Sequence, residues 1–309
     1  MRVLLAGADG FIGRHLASGL SSAGHVVLPL VYGRAAREGE LRVDLTVRSA
    51  LQILPRGVDA VINASGVVDP RVSTARIFAV NLGGTANLVA GARAQRVHHF
   101  VQMSSVAAYG PLVLGEQRSE ATPRLGRYVG LPYMRSKAQA ERVLERSGLG
   151  YSILRPAAVL GAGDSVVTPG LAAALRGPGL PLLPGARLSH LVSLTLIEGL
   201  VETTLRALAR GPLRTAVHAV DVELRLEELA ASFAAEMGLS CNFARISFVD
   251  AVTRRDDAGF SWLVASARFG QHYTRDKRTR LLGEGPFPSL KSAISTGLSG
   301  LQGGKEALS

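Results

Sequence analysis

Tyr133 and Lys137 stand four residues apart in "LPYMRSKAQAERVLE", which runs from Leu131 to Glu145. The stretch has the apolar period of an amphipathic helix, so the two side chains share one face, one turn apart. A free phenol releases its proton only near pH ~10, and a neighbouring positive charge favours the phenolate. A phenol and an ammonium so placed are either a proton-transfer pair or an ordinary solvated turn of helix. The pair alone does not decide between the two; the elements around it must.

The first half of the chain alternates short apolar runs with helical patterns. "RVLLAG" (Arg2 to Gly7), "HVVLPLV" (His25 to Val31), "DAVINAS" (Asp59 to Ser65), "HHFVQMSS" (His98 to Ser105) and "YSILRP" (Tyr151 to Pro156) read as strands. Their near-continuous apolar character suits a parallel sheet covered on both faces. Amphipathic stretches at Ile12 to Ser22, Thr74 to Ala94 and Tyr133 to Arg146 lie between them. This alternation predicts an α/β fold with a doubly wound parallel sheet of Rossmann type. Right-handed crossovers then gather the carboxyl ends of the strands on one edge, where ligands bind.

Residues 1–155 are expected to form this dinucleotide-binding body. Residues 156–309 are expected to form mainly a smaller C-terminal substrate lobe, with some segments returning to the body. The stretch after Pro156 is rich in Gly and Pro and reads as loops around one short helix. Helical patterns follow at Thr195 to Ala209 and Leu226 to Met237, and the Gly-rich tail "LSGLQGGKEALS" is expected to fray.

The first strand runs into "GADGFIG", with Gly7, Gly10 and Gly13. One glycine serves the tight turn, one admits a pyrophosphate to the backbone, and one lets the next helix pack against the sheet. The free N–H groups and dipole of that helix then face the phosphates. The spacing is G-x-x-G-x-x-G, and its place between strand and helix carries the signal. The second strand ends in "LVYGRAAR", with no acid before Glu38 to take the ribose 2′-hydroxyl of NAD. Arg34 and Arg37 suit a 2′-phosphate instead, which favours NADP(H) and leaves NAD(H) as the alternative. Asp44, in "VDLT", is placed to reach the adenine amino group.

In order and spacing, "GADGFIG", "DAVINASG", "NLGGTANLVAGA", "FVQMSSVAAYG", "YMRSK" and "ILRPAAVLGAGD" resemble the extended short-chain dehydrogenase/reductases. Related groups are the nucleotide-sugar epimerases and dehydratases, the 3β-hydroxysteroid dehydrogenases and the dihydroflavonol-type reductases. The resemblance is close over residues 1 to about 165 and resumes in "HYTRDKRTRLLGEGPFPSLKSAIS". It implies that Tyr133 is the proton donor or acceptor at the substrate's carbonyl or alcohol oxygen. Lys137 would favour the phenolate and bind the nicotinamide ribose, and Ser105 would hold the same substrate oxygen. Ser104 has the weaker claim, because the family's Ser/Thr lies four residues before the Tyr of "YG", here Tyr109. Asn81 is given a structural or cofactor-loop role. The cofactor-binding set is completed by Phe11, Ile12, Leu45, Ala64, Ser65 and Pro156.

Departures narrow the substrate. "NASG" replaces the family's frequent His-Leu-Ala-Ala, Pro156 and Ala157 follow Arg155 where many nucleotide-sugar enzymes have Asn, and "HLVSLTLIEG" lacks an expected acid. The lobe's "VVTPGLAAALRGPGLPLLPG" is largely apolar, either as the wall of an apolar substrate pocket or simply as core. The leading expectation is an NADP(H)-dependent oxidoreductase that interconverts a ketone and a secondary alcohol on a mainly apolar small molecule. The alternative is a nucleotide-sugar epimerase or 4-keto-sugar reductase using the same residues. A non-catalytic dinucleotide sensor would have no need of Ser105, Tyr133 and Lys137 together.

Composition excludes other classes. The 309 residues are 47% apolar, enough for a large core, yet no apolar run reaches the ~18 residues of a membrane span. The net charge of +11 is almost all scattered arginine, with no basic run and no interleaved aromatics, so nucleic acid is not an expected partner. The single cysteine, Cys241, excludes an internal disulfide and a Cys-based metal site, and a cytoplasmic setting fits. His98 and His99 are adjacent on a strand, face opposite ways and cannot chelate together, so no metal is expected. A homodimer is expected through the helices carrying "NLGGTANLV" and Tyr133. Ile77, Val80, Leu88 and Val89 on one, with Ala138, Val143 and Leu144 on the other, supply the apolar surface.

Overall fold

The computed structural model of the chain describes residues 1–48, 55–110, 117–128, 131–285 and 289–306, with side chains to residue 301. The strands in chain order are β1 (Arg2–Ala6), β2 (Val26–Val31), β3 (Leu41–Arg42), β4 (Ala60–Asn63), β5 (His99–Met103), β6 (Tyr151–Pro156), β7 (Ala158–Leu160), β8 (Leu180–Leu182), β9 (Leu191–Leu196), β10 (Ala216–Ala219), β11 (Val222–Arg225) and β12 (Phe243–Arg245). The helices are α1 (Phe11–Ser22), α2 (Thr74–Phe78), α3 (Thr85–Ala94), α4 (Pro132–Glu145), α5 (Val167–Arg176), α6 (Ile197–Arg210), α7 (Leu226–Met237), α8 (Phe248–Thr253), α9 (Ala258–Phe269), α10 (Asp276–Leu282) and α11 (Leu290–Glu306).

A seven-stranded sheet in the order β10-β6-β5-β4-β1-β2-β3 forms the body, every pair parallel. The doubly wound sheet expected from sequence is therefore present, with two strands more than the five apolar runs announced. β3 is two residues long, and β10, "AVHA", carries a histidine in its middle, so neither has a strand-length apolar run to read. Apolar side chains alternate across the sheet and build a core on each face. Val3, Leu5, Ile62, Val101 and Leu154 meet α1 and α6 on one side. Leu4, Val61, Phe100 and Ile153 meet α3 and α4 on the other. Each such side chain, fully withdrawn from water, contributes about 1.5–3 kcal/mol.

The stretch after Pro156 is more regular than its Gly and Pro content suggests. β7, β9 and β11 form one small sheet, and β8 pairs with β12 in another. Strands of three residues are too short to show a period. The helical pattern read from Thr195 begins one residue into the end of β9 and continues as α6. The lobe has its own core, in which Leu171, Leu194, Leu229, Phe233, Leu263 and Ile294 are buried. The Gly-rich tail does not fray at its start; α11 continues to Glu306. A side chain in place of Gly297 would meet Thr168 Oγ1 at 2.6 Å, so that glycine serves a close approach to α5 and not mobility.

The pattern read as one helix from Thr74 to Ala94 is α2 and α3 joined by a wide π-type turn, Ala79–Gly84, that contains Asn81. The apolar surplus expected on α2–α4 is also smaller than the sequence implies. Ile77, Leu88, Val89, Ala138 and Leu144 are all buried within the single chain, because both helices lie against the sheet and against each other. Phe78, Val80, Leu82 and Val143 remain half-buried there.

His98 is exposed and His99 buried, as alternation requires. Ser152 Oγ lies 2.8 Å from His99 Nε2, and no partner meets Nδ1 among the described residues. Burial pushes the imidazole down to about 4, with the charge of His98 acting the same way. The fold thus holds His99 neutral. As pH falls from about 6.5 the unfolded chain takes up a proton that the folded chain refuses, and stability is lost until about pH 4. The window corresponds to a loss on the order of 2–3 kcal/mol. In urea unfolding at pH 7 and pH 4.5, His99→Gln should lose clearly less stability than the wild type between the two.

Candidate active site

The turn after β1 is shaped by close approach. Gly7 has φ +77°, and a Cβ there would lie 2.8 Å from the Ser65 backbone. A Cβ on Gly13 would lie 1.9 Å from the Gly7 carbonyl oxygen, so α1 can sit against the turn only with glycine at that position. Gly10 is exposed and caps α1 with no side-chain hydrogen bond, and the first turn holds no acid. The N–H groups of that turn, including Phe11 and Ile12, are left to an anion. These residues fit a dinucleotide pyrophosphate. Asp9, a residue unremarked in the sequence, accepts from Tyr32 N at 3.1 Å and Gly33 N at 2.8 Å and so ties the turn to the end of β2. Its only sequence signal is a lone acid inside the glycine triplet.

At the adenosine end, Arg34 is already engaged. It meets Glu40 through two hydrogen bonds of 2.6 Å, and that guanidinium pulls the Glu40 carboxyl down to about 2. From sequence the nearest acid is Glu38, yet the loop folds Glu40 back onto Arg34, with Arg37 N also donating to it at 2.7 Å. Arg76 supplies a second cation at this end, 5.1 Å from the centre of the Tyr32 ring. Asp44 is half-buried and accepts from Thr46 N and Oγ1 at 2.9 and 2.7 Å. Burial raises its carboxyl, but the Thr46 bonds outweigh that and it lies below its ordinary value. Leu45 is buried under Gly84, and its carbonyl accepts from Asn87 Nδ2 at 2.9 Å.

Ala64 and Ser65 leave β4 beside the Gly7 turn. Ser65 donates from its N–H and its hydroxyl to Asn63 Oδ1 at 3.2 and 2.5 Å, and the buried Asn63 Nδ2 donates to Thr85 and Gln102 at 3.0 Å each. Asn81 holds the next residues: its Oδ1 accepts from Val67 N at 2.7 Å, and its Nδ2 donates to Val67 O and Ser136 Oγ at 3.0 Å. It thereby fastens the loop after β4 to α4. Pro156 is buried at the end of β6, paired with Ala219 of β10.

Ser105, Tyr133 and Lys137 come together at the carboxyl edge of the sheet. Ser105 follows β5 in an extended conformation and caps the short helical turn Val106–Tyr109, accepting from Ala107 N at 3.1 Å. Ser105 lies beside the half-buried Tyr133 phenol. Burial raises that phenol above its ordinary value, and the nearby Ser105 hydroxyl draws it back. Lys137 is buried, donates to Met103 O at 3.0 Å, and its Nζ lies 5.9 Å from the centre of the Tyr133 ring. A Cβ on Gly66 would stand 3.1 Å from that Nζ, so the loop held by Asn81 runs directly past it. Burial pushes the Lys137 ammonium down to about 8, and Glu141 works against that shift. In this structure, then, the group drawing on the phenol is Ser105, because the ammonium is turned to the Met103 carbonyl. Ser104 is buried and spent: it donates to Glu141 at 2.5 Å.

The sequence matches the NAD dependent epimerase/dehydratase family over residues 3–217. The chain belongs to this family. The family uses nicotinamide dinucleotides, in keeping with the glycine turn. The chain is similar, at 30% identity over 224 residues, to a 4-hydroxy-2-methyl-3-oxo-4-farnesyl-3,4-dihydroquinoline-1-oxide ketoreductase of Stigmatella aurantiaca. That match covers 69% of this chain and 66% of the relative. It is also similar, at 31% identity over 186 residues, to a 2-alkyl-3-oxoalkanoate reductase of Stenotrophomonas maltophilia, covering 57% of this chain and 56% of that one. The chain thus spans less than two thirds of the length of these curated relatives. Among solved structures, RMD from Pseudomonas aeruginosa complexed with NADPH shares the fold, with a TM-score of 0.74, 20% identity and coverage of 98% and 99%. No helix among the described residues is long and apolar enough to cross a membrane, and no cluster of metal-ligating side chains occurs among them.

Proposed function

We propose that this family member is an NADP(H)-dependent ketoreductase that interconverts a ketone and a secondary alcohol on a mainly apolar small molecule. The observation that carries it is the meeting of Ser105, the Tyr133 phenol and the buried Lys137 ammonium, whose Nζ lies 5.9 Å from the centre of the Tyr133 ring. The dinucleotide, held by Gly7, Gly10, Phe11, Ile12 and Gly13, supplies or takes up hydride when bound. Tyr133 gives its proton to the carbonyl oxygen in reduction and takes the hydroxyl proton in oxidation. Ser105 holds that oxygen, and Lys137 places positive charge where the phenolate forms. Ala64, Ser65, Asp44, Leu45 and Pro156 shape the rest of the cofactor cleft, and Asn81 holds its loop. The apolar substrate is supported by the absence of an Asn after Arg155 and by the ketone and oxoalkanoate substrates in the relatives' names.

The same reading assigns a homodimer in a cytoplasmic setting. The half-buried Phe78, Val80, Leu82 and Val143 are the apolar surface left for it on α2–α4 and the turn between them. Light scattering at micromolar concentration should return twice the chain mass.

NADPH consumption measured side by side with apolar ketones and with nucleotide 4-keto sugars should show turnover on the ketones; turnover confined to the sugars would overturn the substrate class. In the active pairing, Tyr133→Phe should slow turnover by roughly 10²–10⁴ while thermal stability and NADPH binding hardly change. Lys137→Met should slow turnover and also weaken cofactor binding, and raising the pH should restore part of its oxidation rate. A Tyr133→Phe enzyme that keeps most of its activity removes the acid–base assignment.

For the cofactor, Arg34 and Glu40 neutralise one another, so Arg76 and Arg37 leave this end of the cleft cationic. Arg34→Ala would also release the Glu40 carboxylate toward the 2′-phosphate. NADPH affinity should fall about tenfold and NADH affinity far less. Equal losses in titration calorimetry would show that Arg34 does not read the phosphate.

A further inference from the structure

A carboxylate with no access to water persists only where the fold answers its charge. Glu141 on α4 is fully buried. It accepts Ser104 Oγ at 2.5 Å, Arg155 Nε and Nη2 at 2.9 and 2.7 Å, and Arg124 Nη1 at 2.7 Å. Burial raises its carboxyl, yet these bonds outweigh burial and hold it ionised. The four bonds come from three separate parts of the chain: the residue just after β5, the carboxyl end of β6, and the loop before α4. Arg155 reaches further, donating from Nη1 to the Tyr109 hydroxyl at 2.7 Å. Tyr109 closes the turn that Ser105 caps.

We propose that Glu141 is a positioning residue for the reaction, fixing the Ser105 turn and the Tyr133–Lys137 helix relative to each other. The proposal rests on the acid–base reading of Tyr133. Tyr133, Lys137 and Glu141 follow at intervals of four on α4, and so along one face. Ser104 and Ser105 are adjacent in extended backbone and point opposite ways. Ser104 turns back to Glu141 while Ser105 turns out to Tyr133. The spacing between hydroxyl and phenol is therefore set by the one carboxylate that grips the residue behind the hydroxyl and the helix behind the phenol. A misplacement of about 1 Å at such a site is enough to cost on the order of 10² in rate.

The same carboxylate acts on Lys137. That ammonium faces Tyr133 on its own helix, Gly66 on the loop after β4, and the Met103 carbonyl of β5. Glu141 is the anion that favours its charged form. Glu141 in turn faces Arg155 and Arg124, and Arg124 is shared with Glu145. Placement and charge can be separated by substitution, because Ser104 carries only the first.

The test compares Ser104→Ala and Glu141→Gln with the wild type under saturating NADPH, across pH, on a ketone the wild type reduces. Circular dichroism and thermal melting report folding. Ser104→Ala should fold and bind NADPH as the wild type does, lose about tenfold in kcat with little change in KM, and keep the wild-type pH profile. Glu141→Gln should lose more in kcat, and the pH limb belonging to Lys137 should move to lower pH. A folded Glu141→Gln with wild-type kcat and profile overturns the proposal. Should Glu141→Gln not fold, a wild-type kcat in Ser104→Ala overturns it alone. Tyr133→Phe, run beside them, separates the two claims: if it stays active the acid–base reading has failed, and if it is inactive while Ser104→Ala is normal only the positioning role has failed.

Discussion

A buried charge cannot borrow water, so it must be met by the chain on every side. The carboxyl edge of this sheet is organised around that constraint. Glu141, Arg155 and Arg124 form a buried ion cluster, and the fixed fork of Arg155 spans from Glu141 to Tyr109. Tyr109 passes the link to the buried His218 of β10, whose Nε2 lies 2.7 Å from the hydroxyl, and His218 Nδ1 meets the Thr274 carbonyl at 2.8 Å. A continuous polar chain thus runs from α4 through β6 and the turn after β5 to β10 and the segment before α10. Such a cluster adds little net stability over an apolar filling, but it permits few alternative arrangements. Breaking one member leaves its partner charged and dry, which is why the elements it joins move together or not at all.

The cofactor end works under a different constraint, that of backbone approaching backbone. The separation between Gly13 and the Gly7 carbonyl leaves no room for a side chain, and Asp9 then spends its carboxylate on two amides at the end of β2. The result is a turn whose shape is fixed from both flanks before any ligand arrives. What the turn leaves open is the first row of N–H groups on α1, which suits an anion of extended shape. The proposed 2′-phosphate contacts lie on a looser part of the fold. There a half-buried ion pair, Arg34 with Glu40, would compete with a bound phosphate for the same guanidinium.

The body was legible in the sequence because its signals are local. Five strands, the glycine triplet, and α4 with Tyr133 and Lys137 all announce themselves within runs of four to fifteen residues. Asn81 was placed in its role by motif order. What stayed hidden depends on contacts far apart in the chain. Glu141 and Arg155 each look like an ordinary charge on a helix or strand, and only the fold shows them facing each other with no water between. Asp9 and Glu40 were hidden for the same reason. Much of the apolar surface on α2–α4 is buried within one chain, because these helices touch both the sheet and each other, which a single helical stripe does not show. The short strands of the lobe escaped because three residues carry no period.

The electrostatics also bear on direction. Without cofactor, burial holds the Tyr133 phenol protonated above its ordinary range, and Ser105 offsets this only in part. Lys137 is itself depressed to about 8 and turned toward the Met103 carbonyl. On the proposed reading, a phenol held protonated would be set to give its proton to a carbonyl oxygen, the direction of reduction. Oxidation would need the phenolate, and so would draw on positive charge beyond the Lys137 ammonium that stands at the Tyr133 ring. An oxidised nicotinamide carries such a charge. The protonation state of Tyr133 would then follow the redox state of the bound dinucleotide, and one set of side chains would serve both directions without rearrangement of the polar cluster behind it.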